Sequence, residues 1–152
     1  MIYAGIGSRN TPPYILNVIR KAAAYLATSG YTLRSGGADG ADLAFEAGCN
    51  LVNGRKEIFY PDHATEESIH HASKFHPSWN SCTSYAKKLH GRNSMIILGK
   101  DLLTPVSFVL CWTPMGKDIG GTSQSIRIAR SLGIKVLNLG IDQDLNRVMS
   151  NL

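Results

Sequence analysis

The chain has 152 residues, 43% of them hydrophobic and 18% charged, which suits a single globular domain with an ordinary core. Its 16 basic and 11 acidic residues leave a net charge of +5, which favours anionic partners but is too small to establish a nucleic-acid surface. The 3 cysteines lack disulfide-framework or zinc-finger spacing, and no run approaches the roughly 20 apolar residues of a membrane span. We therefore expect a protein of the reducing cytoplasm, with no signal peptide and no membrane partner.

Apolar, strand-prone runs alternate with helical periodicity along the whole chain. The sequence predicts strands at residues 2–6, 31–34, 57–60, 106–112 and 135–139. The first helix is predicted to start with Thr11 as its N-cap and Pro12 at its first position, and to end at Gly30. Further helices are predicted at about 40–51, 85–98 and 122–132 and at the C-terminus, with one or two short helices in the irregular stretch 62–84.

This alternation predicts an α/β protein with a Rossmann-like, doubly wound parallel sheet. We expect about five strands with helices on both faces, in a single domain over residues 1–152. In the usual strand order 3-2-1-4-5, strands one and four are neighbours where the order reverses, and ligands bind beyond their carboxyl ends. The turns after these two strands are therefore predicted to face each other across a crevice.

Three glycine-bearing turns lie where predicted strands lead into helices, at residues 5–9, 35–40 and 120–123. Glycine lets a backbone approach a ligand closely, and a helix start offers unpaired N–H groups at the positive end of its dipole. The first and third turns are therefore predicted to hold phosphate, through Gly7, Ser8, Arg9, Gly120, Gly121, Thr122 and Ser123. The alternative is that they are only tight turns and helix caps.

The second turn, SGGADGAD at residues 35–42, combines glycines with two carboxylates. We expect Gly36 and Gly37 to admit a ligand, while Asp39 or Asp42 bonds ribose hydroxyls or acts as an acid or base. Glu46 lies one helical turn beyond Asp42 and is a further candidate. The alternative is that an aspartate only complements the positive helix start and that Glu46 is solvated.

The segment KKLHGRN at residues 87–93 concentrates positive charge before an apolar helical run. Arg92 and Asn93 are predicted to reach the crevice from this helix, with a solvated basic face as the alternative. Lys87 and Lys88, together with aromatic residues near Trp79, offer a surface for single-stranded nucleic acid.

Two common ligand signatures are absent from the sequence. Asn10 stands where the dinucleotide fingerprint GxGxxG requires its third glycine, and Arg34 stands where an acidic residue would hold a ribose, so we expect neither NAD nor another cofactor. His70 and His71 are adjacent and diverge on a helix or strand, and HExxH does not occur. No metal site is predicted.

Four motifs together, GSR at 7–9, SGGADGAD at 35–42, HGRN at 90–93 and GGT at 120–122, resemble those of the SLOG superfamily of Rossmann-like nucleotide-binding proteins. The likeness covers most of the chain and is greatest for compact DprA/Smf-like or YspA-like members, with LOG-type phosphoribohydrolases more distant. It implies a nucleotide or nucleotide-derived ligand and a bacterial cytoplasm or phage-infected host. Members of this group often self-associate, so the resemblance also implies a homo-oligomer.

Two branches of the superfamily imply different roles for the same residues. In DprA-like proteins, an arginine corresponding to Arg9 or Arg92 lines a basic pocket for single-stranded DNA. In LOG-type enzymes, the counterpart of Arg92 is catalytic and a glutamate of the motif GGxGTxxE serves cleavage of a nucleoside monophosphate at its N-glycosidic bond. Ser125 stands at that glutamate position here, so such chemistry requires Asp39, Asp42 or Glu46 instead.

The sequence leaves three functions open. The first is binding of a phosphorylated nucleotide, with phosphate on the first and third turns, ribose on Asp39 and Arg92 covering the charge. The second is hydrolysis of the nucleotide N-glycosidic bond, with Arg92, Asp39 and Glu46 as catalytic candidates. The third is DprA-like binding of single-stranded DNA.

Overall fold

The computed structural model describes residues 1–152 and contains a five-stranded, all-parallel sheet. The strand order is β3-β2-β1-β4-β5, which confirms the predicted order. The strands are β1 (Ile2–Gly7), β2 (Thr32–Ser35), β3 (Lys56–Ile58), β4 (Phe108–Trp112) and β5 (Lys135–Asn138). The order reverses between β1 and β4, so the predicted position of the crevice follows directly from the topology.

Six α-helices connect and flank the strands. They are α1 (Pro13–Thr28), α2 (Ala41–Leu51), α3 (Glu66–Ser73), α4 (Ser84–Leu98), α5 (Thr122–Ser131) and α6 (Asp142–Met149). α3 and a short 3₁₀ turn, Trp79–Ser81, occupy the stretch predicted to hold one or two short helices. None of these helices combines the length and the apolar character needed to cross a lipid bilayer.

The start of the first helix differs from the prediction. Pro12 occupies the N-cap and Pro13 the first helical position, so Thr11 is not the cap. Thr11 is buried, and its hydroxyl donates a hydrogen bond to the carbonyl of Ser8 at 2.6 Å. The side chain of Thr11 therefore stabilises the turn after β1 and does not cap the start of α1.

Successive side chains of the central strands point to opposite faces of the sheet, so the core consists of two layers. Tyr3 and Leu110 pack in the layer of α1 and α2, whereas their neighbours Ala4 and Cys111 pack in the layer of α4 and α5. A parallel strand covered on both faces must be apolar at successive positions, and β4 meets this requirement with the sequence FVLCW.

The register of β1 on β4 determines which turns meet. Gly7, the last residue of β1, is paired with Trp112, the last residue of β4. The backbone N–H of Ser8 then donates to the carbonyl of Trp112 at 3.1 Å. Both chains leave the sheet at the same edge, which places the turns that follow them on opposite sides of one crevice.

Close packing of α1 against α2 depends on Gly48. A Cβ at this position would collide with the backbone carbonyl of Arg20 and lie 2.8 Å from the Cβ of Ala23. Glycine inside a helix normally destabilises it by roughly 1 kcal/mol relative to alanine. Its presence here is explained by the short distance between the two helices.

We therefore expect Gly48→Ala to destabilise the protein, against the helix-propensity trend. Overpacking should lower the free energy of unfolding by about 1–3 kcal/mol, measured by urea denaturation. Gly121→Ala is the matched control, because a Cβ there meets nothing within 4 Å and its φ of −65° and ψ of −31° suit alanine, so it should change stability by less than about 1 kcal/mol. A Gly48→Ala protein more stable than the wild type would contradict the packing argument.

Candidate functional site

A crevice of about 360 Å³ lies at the carboxyl edge of β1 and β4. Its walls are the turn after β1, the start of α2, the second half of α4 and the turn before α5. The predicted residues that line it are Gly7, Ser8, Arg9, Arg92, Asn93, Gly120, Gly121 and Thr122. The structure thus brings most of the first and third turns together with the HGRN segment.

The turn before α5 presents three consecutive backbone donors. The N–H groups of Gly120, Gly121 and Thr122 donate no hydrogen bond within the protein. Gly120 has φ +78°, a conformation that favours glycine, and Gly121 leaves open space where a side chain would stand. Unpaired N–H groups at the positive end of a helix dipole attract anions, so this turn is suited to an anionic ligand.

The turn after β1 adds a guanidinium group to the opposite wall. Arg9 is exposed, and its side chain has no partner in the protein. The Ser8 hydroxyl accepts a hydrogen bond from the N–H of Asn10 at 3.0 Å and keeps its own proton free to donate. Both groups can therefore donate to a ligand without breaking a bond within the fold.

Arg92 is 7% exposed and acts first as a structural clamp. Its Nη1 donates to the carbonyls of Gly36 at 2.6 Å and Phe59 at 3.1 Å, and its Nε donates to Oδ1 of Asn93 at 3.0 Å. Nδ2 of Asn93 in turn donates to the carbonyl of Gly121 at 3.5 Å. These bonds connect the ends of β2 and β3 to the turn before α5, and they leave Nη2 of Arg92 free for a ligand.

Asp42 is the carboxylate at this site, and it is only 6% exposed. Oδ2 accepts a hydrogen bond from the N–H of Ala38 at 3.3 Å, while Oδ1 is buried without a partner. Burial raises the pKa of Asp42 to about 6, although the N–H of Ala38 and the charge of Arg92 act in the opposite direction. A Cβ on Gly36 would lie 2.7 Å from Nη1 of Arg92 and 2.9 Å from Oδ2 of Asp42, so both groups crowd this glycine.

His90 also lines the crevice, from the same helix as Arg92. Burial, together with the smaller effect of the charges of His76, Arg127 and Arg92, lowers its pKa to about 4. The ring is therefore neutral near pH 7. Its Nδ1 is buried and has no hydrogen-bond partner.

Five predicted residues do not line the crevice: Gly36, Gly37, Asp39, Glu46 and Ser123. The two glycines pack against the side chains of Arg92 and Tyr60. Asp39 is exposed, and Glu46 forms an ion pair with Lys56 at 2.7 Å. The Ser123 hydroxyl donates to the carbonyl of Gly120 at 2.6 Å, so it stabilises the turn that carries the free N–H groups and does not itself line the crevice.

Asp42 carries a signal that the sequence reasoning did not use. It lies three and seven residues before Phe45 and Cys49, both of which are fully buried. Residues with this spacing share one face of a helix, so Asp42 belongs to the inward face of α2. Asp39 precedes the helix and has no such constraint.

No protein-family model, no curated protein and no solved structure matches this chain. The resemblance to the SLOG superfamily therefore stays a prediction from the motifs.

The raised pKa of Asp42 has a consequence for stability. The unfolded chain ionises this carboxyl near its ordinary pKa of 3.8, whereas the folded protein resists ionisation until about pH 6. The free energy of unfolding therefore falls as the pH rises from about 4 to about 6, by an amount on the order of 2–3 kcal/mol. Asp42→Asn removes the ionisation while preserving the shape of the side chain.

We expect Asp42→Asn to be more stable than the wild type at pH 8 and to lose this advantage near pH 4. The measurement is urea unfolding of both proteins at several pH values. Asp39→Asn, at an exposed position, is the control and should follow the wild type at every pH. An Asp42→Asn advantage that stays constant between pH 4 and 8 would show that the carboxyl is not perturbed.

Proposed function

We propose that this protein binds a phosphorylated nucleotide in the crevice between β1 and β4. The observation that carries the proposal is the row of three unpaired N–H groups at Gly120, Gly121 and Thr122, which line the same crevice as the free guanidinium of Arg9. A phosphate offers several acceptor oxygens and a negative charge, so it can satisfy both walls at once.

The size and polarity of the crevice support a small ligand. Its volume of about 360 Å³ lies near the lower end of the range of roughly 300–1,000 Å³ for small-molecule sites. Only 5 of the 17 lining residues are hydrophobic, which suits a polar ligand with few apolar contacts. A mononucleotide fits this description better than a dinucleotide does.

Asp42 takes the place that the sequence interpretation gave to Asp39. Its unpartnered Oδ1 is an acceptor beside the crevice, and ribose hydroxyls are donors that can meet it. Arg92 keeps the compensating positive charge nearby. In this arrangement phosphate lies at the turns and the sugar lies toward the start of α2.

Arg9→Ala should weaken binding of nucleoside monophosphates by roughly 1–3 kcal/mol, about 5- to 150-fold in Kd, because one charge-assisted contact is lost. Isothermal titration calorimetry with a panel of nucleoside monophosphates measures the change. Arg147→Ala removes the same charge from α6, outside the crevice, and serves as the matched control. Equal affinities of wild type and Arg9→Ala would remove Arg9 from the site.

A single-stranded oligonucleotide belongs in the same titrations. Oligonucleotide affinity that falls steeply with salt and exceeds that of every mononucleotide would replace the proposal with DprA-like DNA binding.

A second candidate function is hydrolysis of the N-glycosidic bond of a nucleotide. Asp42 favours it, because a carboxyl with a pKa of about 6 inside a crevice is poised to act as an acid or base near neutral pH. In this reaction water adds to C1′ of the ribose, the bond from C1′ to the base nitrogen breaks, and the water proton passes to the base. An ionised Asp42 would stabilise the positive charge that develops on the sugar.

If this hydrolysis occurs, Asp42→Asn should lower the rate of base release by at least about 100-fold, the scale of general acid–base catalysis. Chromatography of free base and ribose phosphate measures the rate. Glu46→Gln, whose carboxylate pairs with Lys56 outside the crevice, should retain full activity. No base release from any nucleoside monophosphate, deoxy forms included, would leave binding as the function.

A further inference from the structure

A second cluster of reactive side chains lies where the chain returns from α3 to α4. The loop between these helices brings His76 and Cys82 against His90, which is 14 and 8 residues away from them along the chain. Cys82 Sγ lies 3.8 Å from both ring nitrogens of His76, and the rings of His76 and His90 have centroids 4.5 Å apart. One nitrogen or sulfur atom from each residue lies within 4.8 Å of the other two.

These distances approach those of a metal centre. Zinc bound to histidine at about 2.0–2.1 Å and to cysteine at about 2.3 Å in tetrahedral geometry keeps its ligand atoms roughly 3.3–3.6 Å apart. The separation of Cys82 from His76 is already close to this value. The ligand atoms of the three half-buried residues lie within 4.8 Å of one another, so binding requires them to draw together by about 1 Å.

The loop that carries two of these residues is anchored at both ends. Arg127 of α5 donates to the carbonyl of Phe75 at 2.9 Å, immediately before His76. Thr83 follows Cys82 and caps α4 by accepting from the N–H of Ala86 at 3.1 Å. The donor atoms are therefore held close together before any ion arrives, which reduces the entropy lost on binding.

Hydrogen bonds within the protein satisfy only part of the cluster. Nδ1 of His90 is buried without a partner, an arrangement that costs free energy unless something else satisfies the ring. The Cys82 thiol has only weak partners, the carbonyl of Ser78 at 3.7 Å and either nitrogen of His76 at 3.8 Å. A metal ion at this point would give the unpartnered ring and the weakly bonded thiol a common partner.

We propose that His76, Cys82 and His90 form a three-ligand site for Zn²⁺, with water at the fourth tetrahedral position. Two imidazoles and one thiolate suit a borderline-soft ion and do not suit Mg²⁺ or Ca²⁺, which prefer oxygen ligands. The positive charges of Arg92 and Arg127 act on His90 and oppose a dication, so the negative charge of the Cys82 thiolate is required.

Metal binding should disturb one existing hydrogen bond. The backbone N–H of Ser78 donates to Nδ1 of His76 at 3.0 Å. A metal on Nδ1 takes the lone pair that accepts this bond, and a metal on Nε2 moves the ring proton to Nδ1. In either case the amide of Ser78 loses its acceptor, so its NMR signal should shift on addition of Zn²⁺.

The test is titration of chelator-treated protein with Co²⁺ and then Zn²⁺. We expect a thiolate-to-cobalt charge-transfer band, visible bands of a tetrahedral ion, and displacement of Co²⁺ by one Zn²⁺ per chain. Cys82→Ser should abolish the charge-transfer band. His76→Gln or His90→Gln should weaken Zn²⁺ binding at least about 10-fold, since replacing residues that only hydrogen-bond to metal ligands already weakens metal binding by this factor. His70→Gln, an exposed histidine on α3, is the control and should bind as the wild type does.

A thiol-reactivity measurement gives an independent readout. Cys49 and Cys111 are buried and Cys82 is half-buried, so a thiol reagent should modify the native protein at Cys82 first and Zn²⁺ should protect it. Thermal unfolding of each variant shows whether it remains folded. Wild-type protein that takes up no Zn²⁺, cobalt binding without the charge-transfer band, or a Cys82→Ser variant that binds Zn²⁺ as tightly as the wild type would overturn the proposal.

Discussion

The buried guanidinium of Arg92 holds the crevice together. It donates to carbonyls at the ends of β2 and β3, and through Asn93 it reaches the turn before α5. A buried charge is stable only when its donors are satisfied and a counter-charge is near. The backbone carbonyls satisfy the donors, and Asp42, which meets the same glycine at position 36, supplies the negative charge. The two sides of the switch point are thus fixed relative to each other by one side chain of α4.

This arrangement also sets the charge of the crevice. Burial raises the pKa of Asp42 to about 6, so near pH 6 the carboxyl is only about half ionised and cancels only part of the positive charge around it. Arg9, the free Nη2 of Arg92 and the unpaired N–H groups from Gly120 to Thr122 remain. A surface with these donors is suited to an anion with several acceptor atoms, which supports phosphate as the proposed ligand.

Sequence reasoning was sufficient for the topology and insufficient for individual carboxylates. Alternating strands and helices require a parallel sheet, and the ends of parallel strands meet at one edge, so the first and third turns were correctly expected to converge. Asp42 is distinguished from Asp39 by its spacing to Phe45 and Cys49 on the inward face of α2, a signal that the choice of Asp39 as the ribose ligand did not use. The glycines at 36 and 37 fill a protein contact, which no local pattern reveals. The cluster of His76, Cys82 and His90 depends on how an irregular loop returns to α4, and their spacing matches no recognised metal motif.

The most direct test of the crevice as a phosphate site is amide NMR during titration with a nucleoside monophosphate. Anion binding at the turn before α5 predicts that the backbone N–H signals of Gly120, Gly121 and Thr122 shift most, together with that of Arg9. Signals from Lys87 and from the Trp79 indole, on the basic face of α4 and its neighbouring loop, should stay in place. Shifts confined to Lys87 and Trp79, with the three amides unchanged at saturating nucleotide, would contradict the central claim.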